Sequence, residues 1–164
     1  MTAKQSAGIL LFRFRAGALE LFLAHPGGPF WARKDDGAWS IPKGGFSGEE
    51  DPLEAARREF FEEIGTRVEG TFIPLGDIKQ PGGKIVHVWA VQCELDPSTV
   101  ASNTFTLEWP PKSGRQQEFP EIDRAGWFTL PVAGRKILKG QAGFIERLVR
   151  ELGIETDKSE GPEA

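Results

Sequence analysis

Residues 44–66, GGFSGEEDPLEAARREFFEEIGT, constrain this chain more than any other stretch. Asp51 suits an N-cap, Pro52 the first helical position, and Glu54 completes a capping box with Asp51. Gly65 supplies a C-terminal stop, so the spacing predicts a helix from Pro52 to Ile64. On a helical wheel Leu53, Ala56, Phe60 and Ile64 share one side, the expected core face. Glu59, Glu62 and Glu63 stand at i, i+3 and i+4 and share a neighbouring face. Ala55 lies among them and is small, which suggests open space above the helix. Carboxylates this close repel one another, and a hard divalent cation with oxygen ligands would offset the repulsion. A solvated acidic helix face is the alternative reading, and the helix alone leaves both open.

The spacing of Gly44, Glu50, Arg58-Glu59-Phe60, Glu62-Glu63 and Gly65 resembles the Nudix box. That signature marks hydrolases of nucleoside diphosphates linked to another moiety. The box usually ends on an aliphatic residue, and this chain has Thr66 there. The resemblance implies Mg²⁺, or Mn²⁺ in its place, held by Glu59, Glu62 and Glu63. It also implies help from the backbone carbonyl of Lys43 beside the first box glycine. Glu59, Glu62, Arg58 and Glu50 are the expected catalytic set, with Arg58 orienting the carboxylates, paired with Glu50, rather than binding the ion. Nudix enzymes commonly recruit a further acidic residue from outside the box; Glu118 is the first candidate here and Glu121 the second.

A chain of 164 residues can bury one full core. A single domain over 1–154 is expected, followed by a polar, acidic tail at 155–164 that is expected to be flexible. The net charge is −4 and the pI about 5.3. That balance argues against general nucleic-acid binding, which draws on a basic surface, but leaves a small nucleotide open as substrate. The single cysteine, Cys93, allows no internal disulfide and fits a reducing, cytoplasmic setting. It sits in an apolar run and reads as a packing residue. The opening MTAKQSAGILLFRFR is too short and too interrupted by arginine for a signal peptide or a membrane span.

In chain order, Ser6–Phe14 and Leu19–Ala24 read as a hairpin. The loop from His25 to Gly37, HPGGPFWARKDDG, carries Trp31, Arg33 and Lys34. An aromatic beside two cations can stack a base and contact a phosphate; the same residues could instead close the core under a loop. Ala38–Pro42 reads as a short strand with Trp39 and Ile41 on one face. Gly44 and Gly45 then form a turn into the helix. Arg67–Pro74 is an expected strand, followed by Leu75–Lys79. Lys84–Leu95 is a long alternating strand with Ile85, His87, Trp89, Val91 and Cys93 on one side. His87 could line a base pocket or pack in the interior. Thr104–Trp109 reads as a short strand, Arg115–Asp123 as a polar stretch, and Arg124–Leu130 as the last strand. Helices are expected from Pro131 to about Leu138 and from Gln141 to Leu152.

These elements predict an α/β class, a Nudix-type α/β/α sandwich with a mixed sheet between helices. The run WSIPKG also resembles the segment leading into the box in Nudix enzymes acting on diadenosine polyphosphates. Lys43 is suited there to contact a polyphosphate as a point charge, with Gly44, Gly45, Trp31, Arg33 and His87 completing the expected substrate site. The expected reaction is Mg²⁺-dependent hydrolysis of Ap4A to ATP and AMP. A MutT-like nucleoside triphosphate pyrophosphohydrolase, an ADP-ribose pyrophosphatase, and a module that binds nucleotide without turnover are the alternatives.

Overall fold

The structure is a computed structural model that describes residues 4–154; the expected tail at 155–164 lies outside the described residues. Its frame is a six-stranded mixed sheet. Five strands run in the order β4 (Ile73–Lys79), β5 (Ile85–Gln92), β1 (Gln5–Arg15), β2 (Ala18–Pro26) and β8 (Ile122–Thr129). β1 and β5 are parallel over Gln5–Phe12, and the other pairings are antiparallel. β3 (Lys43–Phe46) joins through β1.

β1 changes partner along its length. Its C-terminal half, Phe12–Arg15, pairs with β2, and its N-terminal end, Gln5–Gly8, pairs with β3. A side chain at Gly8 would meet the Pro42 carbonyl and the Lys43 side chain, so the close crossing of β1 and β3 requires glycine there.

The sheet alternates between two cores, as period-2 strands buried on both faces must. On one face α1 (Pro52–Ile64) lays Ala55, Ala56, Phe60 and Ile64 against Ala7, Ile9, Leu11, Phe22 and Val91. On the other, α2 (Leu130–Lys136) and α3 (Ala142–Leu152) cover Leu10, Leu21, Leu23, Val86 and Val88. This is the α/β/α sandwich expected. The cap of α1 also forms as predicted: Asp51 accepts from the Glu54 amide, and Gly65 adopts a left-handed φ of 90°. Among the described residues no helix is long and apolar enough to cross a membrane.

Four local expectations fail for identifiable reasons. Ala38–Pro42 is not a strand; Trp39 and Ser40 form only isolated bridges, and the true strand is displaced to Lys43–Phe46. Gly44 and Gly45 lie in that strand and not in a turn. The strand expected at Arg67–Pro74 begins only at Ile73, because Gly70 takes a φ of 142° that ends any extended run before it. Ala55 is fully buried and belongs to the core instead of opening space above the carboxylates. The polar stretch Arg115–Asp123 contains β7 (Gln116–Pro120), paired antiparallel with β6 (Thr104–Glu108) as a separate two-stranded hairpin. Phe105 and Phe119 stand opposite each other in that hairpin, with rings 5.9 Å apart, and supply the apolar pairing that its charged residues conceal.

Phe60 and Phe61 offer a direct test of the α1 face. Phe60 is 0% exposed and Phe61 38%, with its ring under the Arg67 guanidinium at 4.4 Å. Phe60→Ala is expected to cost about 3–5 kcal/mol in urea unfolding, and Phe61→Ala about 1 kcal/mol or less. Equal losses would mean that α1 is rotated from the face described.

Candidate active site

The box residues meet where α1 passes under the end of β3. The Glu59 side chain is largely buried and reaches back to the strand. A methyl group at Gly44 would overlap its carboxylate, so the glycine is what admits Glu59. Glu63, one turn on, accepts a hydrogen bond from the Lys43 amide at 3.3 Å. Glu59 and Glu63 thus both lean on the Lys43–Gly44 backbone, while Glu62 is more open to solvent.

Arg58 is the clamp. Its Nε and Nη2 donate to the two Glu50 oxygens at 3.0 and 2.9 Å, a bidentate fork. Its Nη1 donates to Glu59 at 2.7 Å and lies 3.6 Å from Glu62. The hydrogen bonds to Glu50, reinforced by Glu59, hold the guanidinium charged. One side chain therefore ties the turn before the helix to two of the three helix carboxylates.

Burial dominates the electrostatics. It pushes the Glu59 carboxyl up, against the opposing pull of Arg58. It pushes Glu63 up to about 7, since Lys43 offsets only part of the desolvation. Lys43 moves the other way, lowered by burial and by Lys84 beside it. Two crowded carboxylates with raised proton affinity are a site short of positive charge. Among the described residues no three carboxylate, histidine or cysteine groups converge into a closed ion cage. The donor set is nonetheless all hard oxygen. It suits a divalent ion that keeps water and phosphate in the rest of its shell, which is the habit of Mg²⁺.

A cleft opens beside these groups. It is lined by Lys43 and Glu63 from the box side, Trp31 and Ser40 from the loop after β2, and Glu121 and Ile122 from the entry to β8. Trp31 is 37% exposed, with the Lys34 ammonium 5.7 Å above its ring. A wider groove lined by Arg13, Arg15 and Trp127 lies at the other end of β1 and shares no residue with this cleft.

The structure sorts the outlying candidates. Glu118 does not join the carboxylates: it accepts from the Thr104 hydroxyl at 2.9 Å on an exposed face of the β6–β7 hairpin. Glu121 is the acidic residue that reaches the site, close enough for its charge to raise both Glu59 and Glu63. Glu118 lies within β7, whereas Glu121 falls in the bend between β7 and β8. His87 does not line the cleft; it hydrogen-bonds Gln5 at 2.7 Å and packs against Phe46, with ring centroids 5.9 Å apart. Arg33 is exposed on the loop. His25 was not among the expected site residues, yet it is fully buried behind the cleft with both ring nitrogens engaged. The one sequence signal for it is its place where an apolar strand runs into a Gly/Pro-rich loop.

Comparison with known proteins agrees with this geometry. The chain is 32% identical over 108 residues to an RNA pyrophosphohydrolase of Rhizobium meliloti (strain 1021), a match covering 57% of this chain and 61% of that protein. It superposes on a C. elegans Ap4A hydrolase binary complex with a TM-score of 0.61, at 22% identity, covering 92% of this chain and 98% of the other. It superposes on the NUDIX domain of Shewanella oneidensis NrtR complexed with ADP ribose with a TM-score of 0.64, at 14% identity, covering 93% and 90%. At those identities the structural likenesses speak for the fold alone. The NUDIX domain model matches residues 2–152, nearly the whole chain, and family, fold and box geometry together establish that this protein belongs to the Nudix family.

Proposed function

We propose that this protein hydrolyses a pyrophosphate bond in a nucleoside diphosphate derivative, with a diadenosine polyphosphate as the first-choice substrate, cut to ATP and AMP in the case of Ap4A. The observation that carries the reading is the pair of buried carboxylates, Glu59 and Glu63, held against Lys43 and Gly44 beside a cleft edged by Trp31. The family generally uses divalent metal ions, and Mg²⁺ is the ion this donor set favours, with Mn²⁺ as a substitute. Glu59 and Glu63 would hold it, with Glu62 and the Lys43 carbonyl at the margin. Such an ion would supply Lewis-acid polarisation of the phosphate, a more acidic water and charge stabilisation for the departing phosphate.

The chain's own groups divide the remaining work. Arg58 fixes Glu59 and Glu62 through Glu50, so the carboxylates need not reorganise during reaction. Lys43, whose charge burial disfavours, regains a counter-charge when a polyphosphate lies against it. Glu121 faces Lys43 and Glu63 across the cleft and is placed to take a proton from the attacking water. Trp31 offers a partly exposed ring on which a base can stack. Arg33, on the same loop, is left for contact with the outer phosphates.

The curated relative favours a second reading, a polyphosphate at the 5′ end of RNA. The net charge of −4 favours the smaller substrate. Purified protein with Mg²⁺ and a panel of Ap4A, nucleoside triphosphates, ADP-ribose and 5′-triphosphorylated RNA separates the readings. Release of ATP and AMP from Ap4A is the expected result. Tight binding of a panel member without turnover of any would show a binding module instead.

Two predictions follow the carboxylates. Glu62→Gln and Glu121→Gln are each expected to lower kcat about 100-fold or more with unchanged circular dichroism; activity equal to wild type would remove that residue from the mechanism. The second concerns pH and metal. Glu63 has a pKa of about 7 in the folded chain against an ordinary 4.5, so the folded state binds its proton more tightly. Its contribution to stability is present below pH 4.5 and is lost as pH rises through 7, by about 3 kcal/mol. In EDTA, wild type should therefore lose melting temperature over this range relative to Glu63→Gln, and Mg²⁺ at pH 8 should restore it. A difference between the two proteins that ignores both pH and Mg²⁺ would show that Glu63 is not the uncompensated charge.

A further inference from the structure

His25 ends β2 and is 0% exposed. Its Nδ1 lies 2.8 Å from an Asp123 carboxylate oxygen and its Nε2 2.6 Å from the Lys34 carbonyl oxygen. Each ring nitrogen thus lies within hydrogen-bond distance of an oxygen on a different segment of the chain. The ring is also held edge-on by Trp39, at 5.1 Å between centroids. A fully buried imidazole with two directed bonds, outside every step of the reaction, calls for a role.

The two contacts go to two walls of the cleft. Lys34 lies in the loop after β2, and its amide donates to the Trp31 carbonyl at 2.9 Å. A single residue thus links the imidazole to the tryptophan at the cleft edge. Asp123 lies two residues after Glu121, in the entry to β8. That entry is fixed by the Gly27 amide, which donates to the Glu121 carbonyl at 2.9 Å. β2 and β8 slip register between His25 and Pro26. The His25 side chain thus adds a tie at the point where the regular ladder is interrupted.

We propose that His25 is the positioning residue for the cleft, bracing the Trp31 loop through Lys34 and the Glu121 segment through Asp123. Its effect on nucleotide affinity rests on the reading of Trp31 as a base-stacking surface. The two arms can be cut separately. The Asn side-chain amide nitrogen falls near the position of Nδ1 and keeps the Asp123 arm alone. The longer Gln places its nitrogen near that of Nε2 and keeps the Lys34 arm alone.

The experiment pairs amide hydrogen exchange on the ligand-free protein with kinetics on Ap4A in Mg²⁺, for His25→Asn, His25→Gln, Trp31→Ala and the double variant His25→Asn/Trp31→Ala. The Lys34 amide should lose protection in His25→Asn and keep it in His25→Gln. KM for Ap4A should rise about tenfold in Trp31→Ala and several-fold in His25→Asn, with kcat within about two-fold. His25→Gln should restore most of the affinity. In the double variant the histidine change should add nothing to KM. Equal Lys34 exchange in the Asn and Gln variants would overturn the brace, whether or not Ap4A is turned over. An unchanged KM in Trp31→Ala would instead overturn the stacking reading and leave the exchange result to decide the brace. Additive KM effects in the double variant would show that His25 does not act through Trp31.

Discussion

Everything in the site depends on the contact between the Glu59 carboxylate and the backbone at Gly44. The strand contributes no side chain there, and the Glu59 carboxylate of the helix fills the gap. That arrangement is unfavourable taken alone, because the carboxylate gives up water. Arg58 offsets part of the cost by hydrogen-bonding Glu59 while its fork engages Glu50. The remainder shows as the raised proton affinity of Glu59 and Glu63. The site therefore carries a desolvation tension that Arg58 does not fully offset.

The sheet supplies the rigidity that this tension demands. Helix α1 is held by fully buried Ala55, Ala56, Phe60 and Ile64, two of them small enough to bring its axis close to the strands. The same closeness delivers the Glu59 carboxylate to β3. Gly65 then turns the chain in a left-handed conformation, where a side chain would strike the Ala101 carbonyl. The carbonyls of Ile64 and Glu62 accept from the amides of Ala101 and Asn103. The end of α1 is thus stitched to the segment that leads into the β6–β7 hairpin. Helix packing and cleft wall are one mechanical unit.

Much of this was legible in the sequence, for local reasons. Asp51, Pro52 and Gly65 act on the nearest turn of chain, so helix α1 and its carboxylate face could be read directly. The alternation of residues 85–92 assigned the two faces of β5 correctly. What could not be read depends on partners distant in sequence. β3 is a strand because Gln5–Gly8 pairs with it, and nothing in KGGF announces that. β7 hides its apolar side behind glutamines and a glutamate because only one of its faces meets anything apolar. Glu118 and Glu121 are nearly adjacent carboxylates, and only the fold, which puts the first in β7 and the second in the bend before β8, decides which one enters the site. His25 escaped because a buried histidine becomes visible only once Lys34 and Asp123 are seen to converge on it.

The β6–β7 hairpin pairs only with itself among the described strands. It touches the rest through few points, among them the edge-to-face contact of Trp109 with Phe30. Nothing in the six-stranded sheet needs its length, its tip or its outer face to stay as they are. Helix α1 is locked into one core against the sheet, whereas the hairpin can be lengthened, shortened or recharged at its tip without disturbing that packing.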